Sequence, residues 1–252
     1  MSLTIGIAVG VSGGYLGSLM VLKKMALVGD AMSHVALLGL AIGFLFNFPA
    51  WLGAFAILFI SAFIIWHLGR VTKLSFESIV GATFTLALAV GIYILKDSLE
   101  LLESLFGDIT TVTLLDTIAA IVISVAAMIL TKMIYQKLVV GMISEDLASS
   151  KGVSVSRINL LYLLLVSMVV AVGIKIIGSL LVGFLVAVPA ASARNLSSNL
   201  FRYSLLSSVF GAVSVSSGVL LSNYLNVLSG PMVVFSGVTI FVASVLLKWQ
   251  AK

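Results

Sequence analysis

Leu3-Thr-Ile-Gly-Ile-Ala-Val-Gly-Val-Ser-Gly-Gly-Tyr-Leu-Gly-Ser-Leu-Met-Val-Leu22 carries no charge and is followed at once by Lys23-Lys24. A helix rises about 1.5 Å per residue, so about 20 apolar residues match the hydrocarbon thickness of a bilayer. This stretch has that length and stops at a basic pair. Similar apolar runs recur at 31–48, 50–69, 78–95, 114–132, 158–174, 177–193, 203–222 and 231–248. They give nine expected spans, and the short second and seventh runs extend the range to eight to ten. The expected fold class is all-α, a polytopic integral membrane helical bundle. No cleavable signal peptide is expected, because no basic segment precedes the first run and that run is of full spanning length.

Composition leads to the same class. Of 252 residues, 61% are hydrophobic and 9% charged, with mean hydropathy +1.27, whereas a soluble domain carries about 25% charged residues. Too little charge is present to coat a water-facing globule, and the apolar content excludes disorder. The net charge of +5 does not point to nucleic acid, because the basic residues fall in the gaps between apolar runs, where they set orientation. With the N-terminus outside, Lys23, Lys24, Arg70, Lys73, Lys132, Lys137, Lys151, Arg157, Arg194, Arg202, Lys248 and Lys252 are cytoplasmic, and only Lys96 and Lys175 lie outside. The expected arrangement is therefore N-terminus outside and C-terminus inside. Residues 1–252 read as a single transmembrane domain in the cytoplasmic membrane, with its longest cytoplasmic loop at about 137–157.

Glycines spaced four apart, at Gly10/Gly14, Gly13/Gly17 and Gly39/Gly43, let helix backbones approach closely, and packing within the chain is the expected use. Cysteine is absent, so any metal must be met by carboxylate, imidazole or backbone oxygen. Ionisable groups in or beside spanning segments are costly and mark functional positions. The foremost is Gly29-Asp-Ala-Met-Ser-His34 at the start of the second span. Asp30 and His34 are four apart, so on a helix they share one face and can share a divalent cation of the zinc, manganese or iron type. Two ligands do not close a site, and a second copy across a two-fold axis would supply Asp2His2. The competing reading is that Asp30 caps the second helix and pairs with His34. Glu77, at the start of the fourth span, reads as a partner of the helix dipole, as an ion pair with Lys73, or as an auxiliary ligand. His67, between Trp66 and Arg70, reads as an interfacial anchor.

Outside the spans, Asp97, Glu100, Glu103 and Asp108 form an acidic outer loop, expected to be solvated. Residues 143–153 read as a short cytoplasmic helix ending near Gly152, either a docking element or a surface loop. At Pro189 in the seventh span a helix can kink or break. The chain contains neither a phosphate-binding G-x-x-x-x-G-K-[ST] loop nor a G-x-S-x-G or H-E-x-x-H motif, so part of a transporter is expected rather than an enzyme.

Landmarks then fall in order: Gly29-Asp-Ala-Met-Ser-His34 with Ala36-Leu-Leu-Gly39; Leu105-Phe-Gly-Asp108; Glu145-Asp-Leu-Ala148 with Gly152-Val153; Val188-Pro-Ala-Ala-Ser-Ala-Arg194; and Gly230-Pro231. Over roughly residues 10–246 the chain resembles the ABC-3 family, the permease subunits of bacterial and archaeal ATP-binding-cassette importers of zinc, manganese or iron. The resemblance implies a homodimeric channel that receives a metal ion from an extracytoplasmic binding protein and is driven by a cytoplasmic ATPase subunit. The metal is then cargo, and no cofactor is permanently bound. The resemblance also implies that Asp30 and His34 form the intramembrane metal site, with Glu77 at an acidic position common in the family. Glu145, Asp146, Leu147, Ala148, Gly152 and Val153 are similar to the helix that docks on the ATPase. Thr85 stands where some zinc importers of the family carry histidine, which argues against zinc as the sole cargo. A ligating imidazole must be neutral, so transport is expected to fall below about pH 6. Two rivals to this reading are a permease for a metal chelate of the siderophore or cobalamin type, and a stand-alone proton-coupled carrier.

Overall fold

In the computed structural model, residues 2–95, 105–107, 113–179 and 181–250 are described, and among them helix is the only regular structure. The acidic residues Asp97, Glu100, Glu103 and Asp108, together with Lys96, Lys252 and the side chain of Lys175, lie outside the described residues. The long helices are α1 (Ser2–Leu22), α2 (Ala26–Leu45), α3 (Ala50–Val71), α4 (Phe76–Leu95) and α5 (Leu114–Ile143). After the short α6 (Glu145–Ser150) come α7 (Val155–Ile177), α8 (Val182–Leu196), α9 (Leu200–Leu225) and α10 (Ser229–Gln250). All except α6 and α8 are long and apolar enough to cross a membrane, which makes eight such helices among the described residues. The segment expected as the seventh span is α8, whose 15 residues reach only about 22 Å. It starts late because Gly178, at φ 87°, ends α7 and turns the chain.

Two other boundaries move. α5 continues to Ile143, a length of about 45 Å, so it projects beyond a bilayer core of about 30 Å. The loop expected at about 137–157 is therefore the end of α5, then α6, then the start of α7. The start of α5 is set by a capping box, in which the Thr113 hydroxyl and the Asp116 carboxylate each accept from the other residue's backbone N–H. Pro189 does not break α8, which runs through it with the proline ring buried.

The bundle is organised around α1. Two thirds of the central part of α1 and of α2 is buried, against less than a third for α4, α5 and α10. α1 packs on α5, α7, α8 and α9, and α8 packs on α1, α2, α9 and α10. Lipid supplies no hydrophobic drive between helices, so close backbone approach must hold them together. A Cβ at Gly10 would lie 2.6 Å from the Gly211 carbonyl oxygen, and one at Gly14 would fall on the Ser207 carbonyl. The Ser207 hydroxyl donates to the Gly14 carbonyl at 2.5 Å across the same seam. Gly17 abuts the Val186 carbonyl of α8, and Gly39 meets Gly53 of α3. The glycine pairs thus make helix seams inside the chain. Tyr162 on α7 is fully buried and donates to the Leu16 carbonyl at 2.5 Å, fastening α7 to α1.

Gly14→Val is expected to wedge α1 from α9, and overpacking of this kind costs about 1–3 kcal/mol or more. Gly69→Ala, where an added Cβ meets nothing within 4 Å, is its control. Thermal unfolding in detergent should show a clear loss of stability for the first and none for the second.

Candidate functional site

The turn between α1 and α2 determines where Asp30 sits. Lys24 adopts a left-handed conformation, φ 59°. The Met25 N–H bonds the Met20 carbonyl at 2.9 Å and the Lys24 N–H bonds Val21 at 3.1 Å, the two bonds of a Schellman ending. The turn closes in three residues and α2 starts at Ala26. Asp30 is therefore the fifth residue of α2 and does not cap it: the N-cap is Met25, with no side-chain capping bond. The expected start at 31 fails because a hydropathy window excludes Gly29 and Asp30, although Ala26-Leu-Val already enter the helix. Asp30 and His34 lie about 6 and 12 Å along the axis from the first residue.

The pair shares one face as its spacing requires. His34 Nε2 is 3.9 Å from Asp30 Oδ1, with side-chain exposures of 14% and 58%. This exceeds hydrogen-bond distance. Two bonds of about 2.1 Å to one metal ion span at most about 4.2 Å, so both groups can reach a single cation with little movement. The backbone behind them is held by α8. Gly183 of α8 packs so closely that a Cβ there would lie 2.6 Å from Asp30 Cα, and the Ser33 hydroxyl donates to the Gly29 carbonyl at 2.8 Å. The imidazole ring rests against Phe84 of α4, centroids 5.0 Å apart.

Asp30 and Glu77 line one cavity of about 190 Å³, with Lys24, Phe76, Val80 and Phe84 among its walls. Glu77 lies in the first turn of α4, where its charge suits the helix dipole. Among the described residues no three His, Asp or Glu side chains come together as a ligand set. Thr85 is exposed on α4 and its hydroxyl bonds the Gly81 carbonyl at 2.8 Å. His67 stands apart on α3, stacked on Phe63, while Trp66 donates to the Ser156 carbonyl at 2.9 Å and carries Arg70 over its ring at 5.0 Å.

The second candidate element is α6. The Ser144 hydroxyl accepts from the Leu147 N–H at 3.2 Å, capping the helix, and Glu145 and Asp146 occupy its first turn, where acidic charge is favoured. Gly152, at φ 71°, ends it: Val153 N–H bonds the Ala148 carbonyl and Gly152 N–H bonds Ser149, each at 2.9 Å. Ala148 is fully buried, whereas Leu147 is 43% exposed.

Lys23, which orientation alone singled out, proves to be a structural link. It donates to Asn159 Oδ1 on α7 and lies 5.6 Å from the Tyr162 ring centroid. Burial pushes its ammonium down to about 8, and the Glu145 carboxylate opposes that shift. Gly183, Phe84 and Lys23 are the positioning residues that the sequence reading missed. No local pattern marks them, because each acquires its role from a partner at least 50 residues away.

These features define a class, an all-helical multi-pass protein of the cytoplasmic membrane with an acid–imidazole pair inside its second helix. The chain belongs to the ABC 3 transport family, which it matches over residues 1–248. The zinc uptake system membrane protein ZnuB of Buchnera aphidicola subsp. Baizongia pistaciae is 31% identical over 241 residues, covering 93% of this chain and 92% of that one. The manganese transport system membrane protein MntC of Listeria monocytogenes serovar 1/2a is 29% identical over 243 residues, covering 95% and 87%. Among solved structures, PsaBC from Streptococcus pneumoniae in complex with Fab superposes with a TM-score of 0.85 at 28% identity, covering 96% of this chain and 89% of the other.

Lys23 generates a pH prediction. Its folded value, about 8, is below the ordinary 10.5, so the unfolded chain binds more protons between those two values and stability rises with pH across that window. Melting temperature in detergent should climb from pH 8 toward 10, and Lys23→Met should lose this part of the slope.

Proposed function

We propose that this chain is the permease of an ATP-binding-cassette importer that moves a divalent metal ion, zinc or manganese, into the cell by alternating access. The observation that carries the reading is the Asp30–His34 pair, 3.9 Å apart on a helix otherwise uncharged from Ala26 to Leu45. Charge inside a spanning segment is costly enough to mark a pathway. The printed names of the zinc and manganese relatives supply the cargo class, and Asp with His suits either metal.

With the short α8 crossing as a ninth span, the chain forms one transmembrane domain with the N-terminus outside and the C-terminus inside. In that orientation α2 enters from the cytoplasm, so the pair occupies the inner half of the bilayer and acts as the last checkpoint before release. Two ligands per chain hold a cation weakly, and a second copy across a two-fold axis completes Asp2His2. Glu77, on the same cavity, draws the departing cation inward. No resident cofactor is needed: an extracytoplasmic binding protein delivers the ion, and ATP is hydrolysed in a cytoplasmic partner. Glu145, Asp146, Leu147, Ala148, Gly152 and Val153 form the element that meets that partner. Its movement shifts the ends of α5 and α7, against which α6 packs. Transport then requires only that the site bind the ion differently in its two states.

In cells carrying the complete importer, Asp30→Ala and His34→Ala should each cut accumulation of one metal by about tenfold or more, read by elemental analysis over a manganese, zinc and iron panel. Normal membrane levels with unchanged uptake in both variants would reduce the pair to an ordinary ion pair. Leu147→Glu places a charge on the exposed apolar residue of α6. The permease should still insert, but the ATPase subunit should no longer co-purify with it.

A further inference from the structure

A second crevice is remote from Asp30. It lies between α1, α5 and α9 and has a volume of about 740 Å³, within the usual range of ligand sites. Met128, Ile129, Met133, Phe201 and Leu205 form its apolar wall, and Lys132, Tyr135, Gln136, Tyr15, Ser204 and Ser208 supply the polar groups. Among the described residues no Asp or Glu lines it, and no carboxylate lies within 4 Å of the Lys132 ammonium. Met133 and Phe201 are among the most exposed apolar residues, at 71% and 76%, which opens the crevice sideways to the medium around the bundle.

That medium is lipid, and depth along α5 fixes which part of it meets Lys132. About 20 residues from Leu114 traverse the hydrocarbon, which brings the boundary to Lys132, while Met128 and Ile129 lie one turn deeper. A basic group at head-group level above an apolar slot between helices matches the shape and charge of an anionic phospholipid. We propose that the α1–α5–α9 crevice binds one anionic phospholipid, with Lys132 holding the phosphate, Gln136 and Tyr135 donating to it, and an acyl chain seated along Met128, Ile129 and Leu205. The inner leaflet is specified only through the orientation proposed above. The site itself does not depend on the transport reading.

The test uses the full permease–ATPase complex reconstituted in nanodiscs of equimolar phosphatidylglycerol and phosphatidylcholine, extracted in mild detergent, with retained lipid measured by mass spectrometry. One basic residue at a membrane surface supplies about a fivefold preference for an anionic lipid. The wild type should retain phosphatidylglycerol over phosphatidylcholine by at least that factor. Lys132→Glu should abolish the preference, and Lys137→Ala, on α5 but outside the crevice, should preserve it. No enrichment in the wild type, or equal enrichment in Lys132→Glu, would overturn the proposal. So would efficient cross-linking of Met133→Cys between two copies in the membrane, because a protein partner would then fill the crevice. The readout is bound lipid, so failure of the Asp30 and His34 variants to alter metal uptake would leave this result standing.

Discussion

The contact on which the rest of the bundle depends is the backbone-to-backbone approach of α1 to α9 and α8. In lipid, apolar side chains gain nothing by leaving one apolar neighbour for another, so helices are held by dispersion and by short polar bonds at close range. Gly10, Gly14 and Gly17 bring α1 onto the carbonyls of Gly211, Ser207 and Val186, and Ser207 adds a hydroxyl-to-carbonyl bond in the same seam. Once α8 lies in that groove, its Gly183 reaches α2 at Asp30. The position of the acid–imidazole pair is thus inherited from glycines that carry no chemistry themselves.

This inheritance explains how a costly pair is tolerated. A carboxylate on the lipid-facing side of an isolated helix is strongly unfavourable. Here the backbone behind Asp30 is packed against α8 while its side chain opens on a cavity shared with Lys24 and Glu77. His34 is sheltered instead, against Phe84. The two groups therefore differ in environment although they share a face. Asp30 is exposed on the cavity side, and His34 is packed against α4; in the proposed site the first approaches the cation and the second is already in place.

How far this was legible follows from where each kind of information resides. The spans are written in composition, because a bilayer imposes a length and an apolarity on each helix independently of its neighbours. The Asp30–His34 face follows from helical spacing. The short helix at Glu145–Ser150 follows from its acidic first turn and from Gly152, the residue that most readily takes φ 71°. The true start of α2 was hidden because it depends on a left-handed lysine, a conformation that sequence favours for glycine or asparagine. The shortness of α8 was hidden because its apolar run merges with the end of α7 unless Gly178 is known to turn. The α1–α5–α9 crevice had no local signature at all, since three helices distant in sequence supply its walls.

Lys23 joins the two ends of the proposed mechanism. It leaves α1 directly after the glycine seam, donates to Asn159 on α7 and lies in the field of Glu145 on α6. Lys24 beside it makes the turn that leads into α2 and lines the cavity beside Asp30. In the proposed mechanism a displacement of α6 would reach the start of α2 through these two adjacent residues. Dense packing makes α1 rigid, so the compliant part of this path is the three-residue turn. In the proposed mechanism a movement of that turn carries Asp30 and His34 together, since both lie on α2, and shifts them as a pair against Gly183 of α8 and Phe84 of α4.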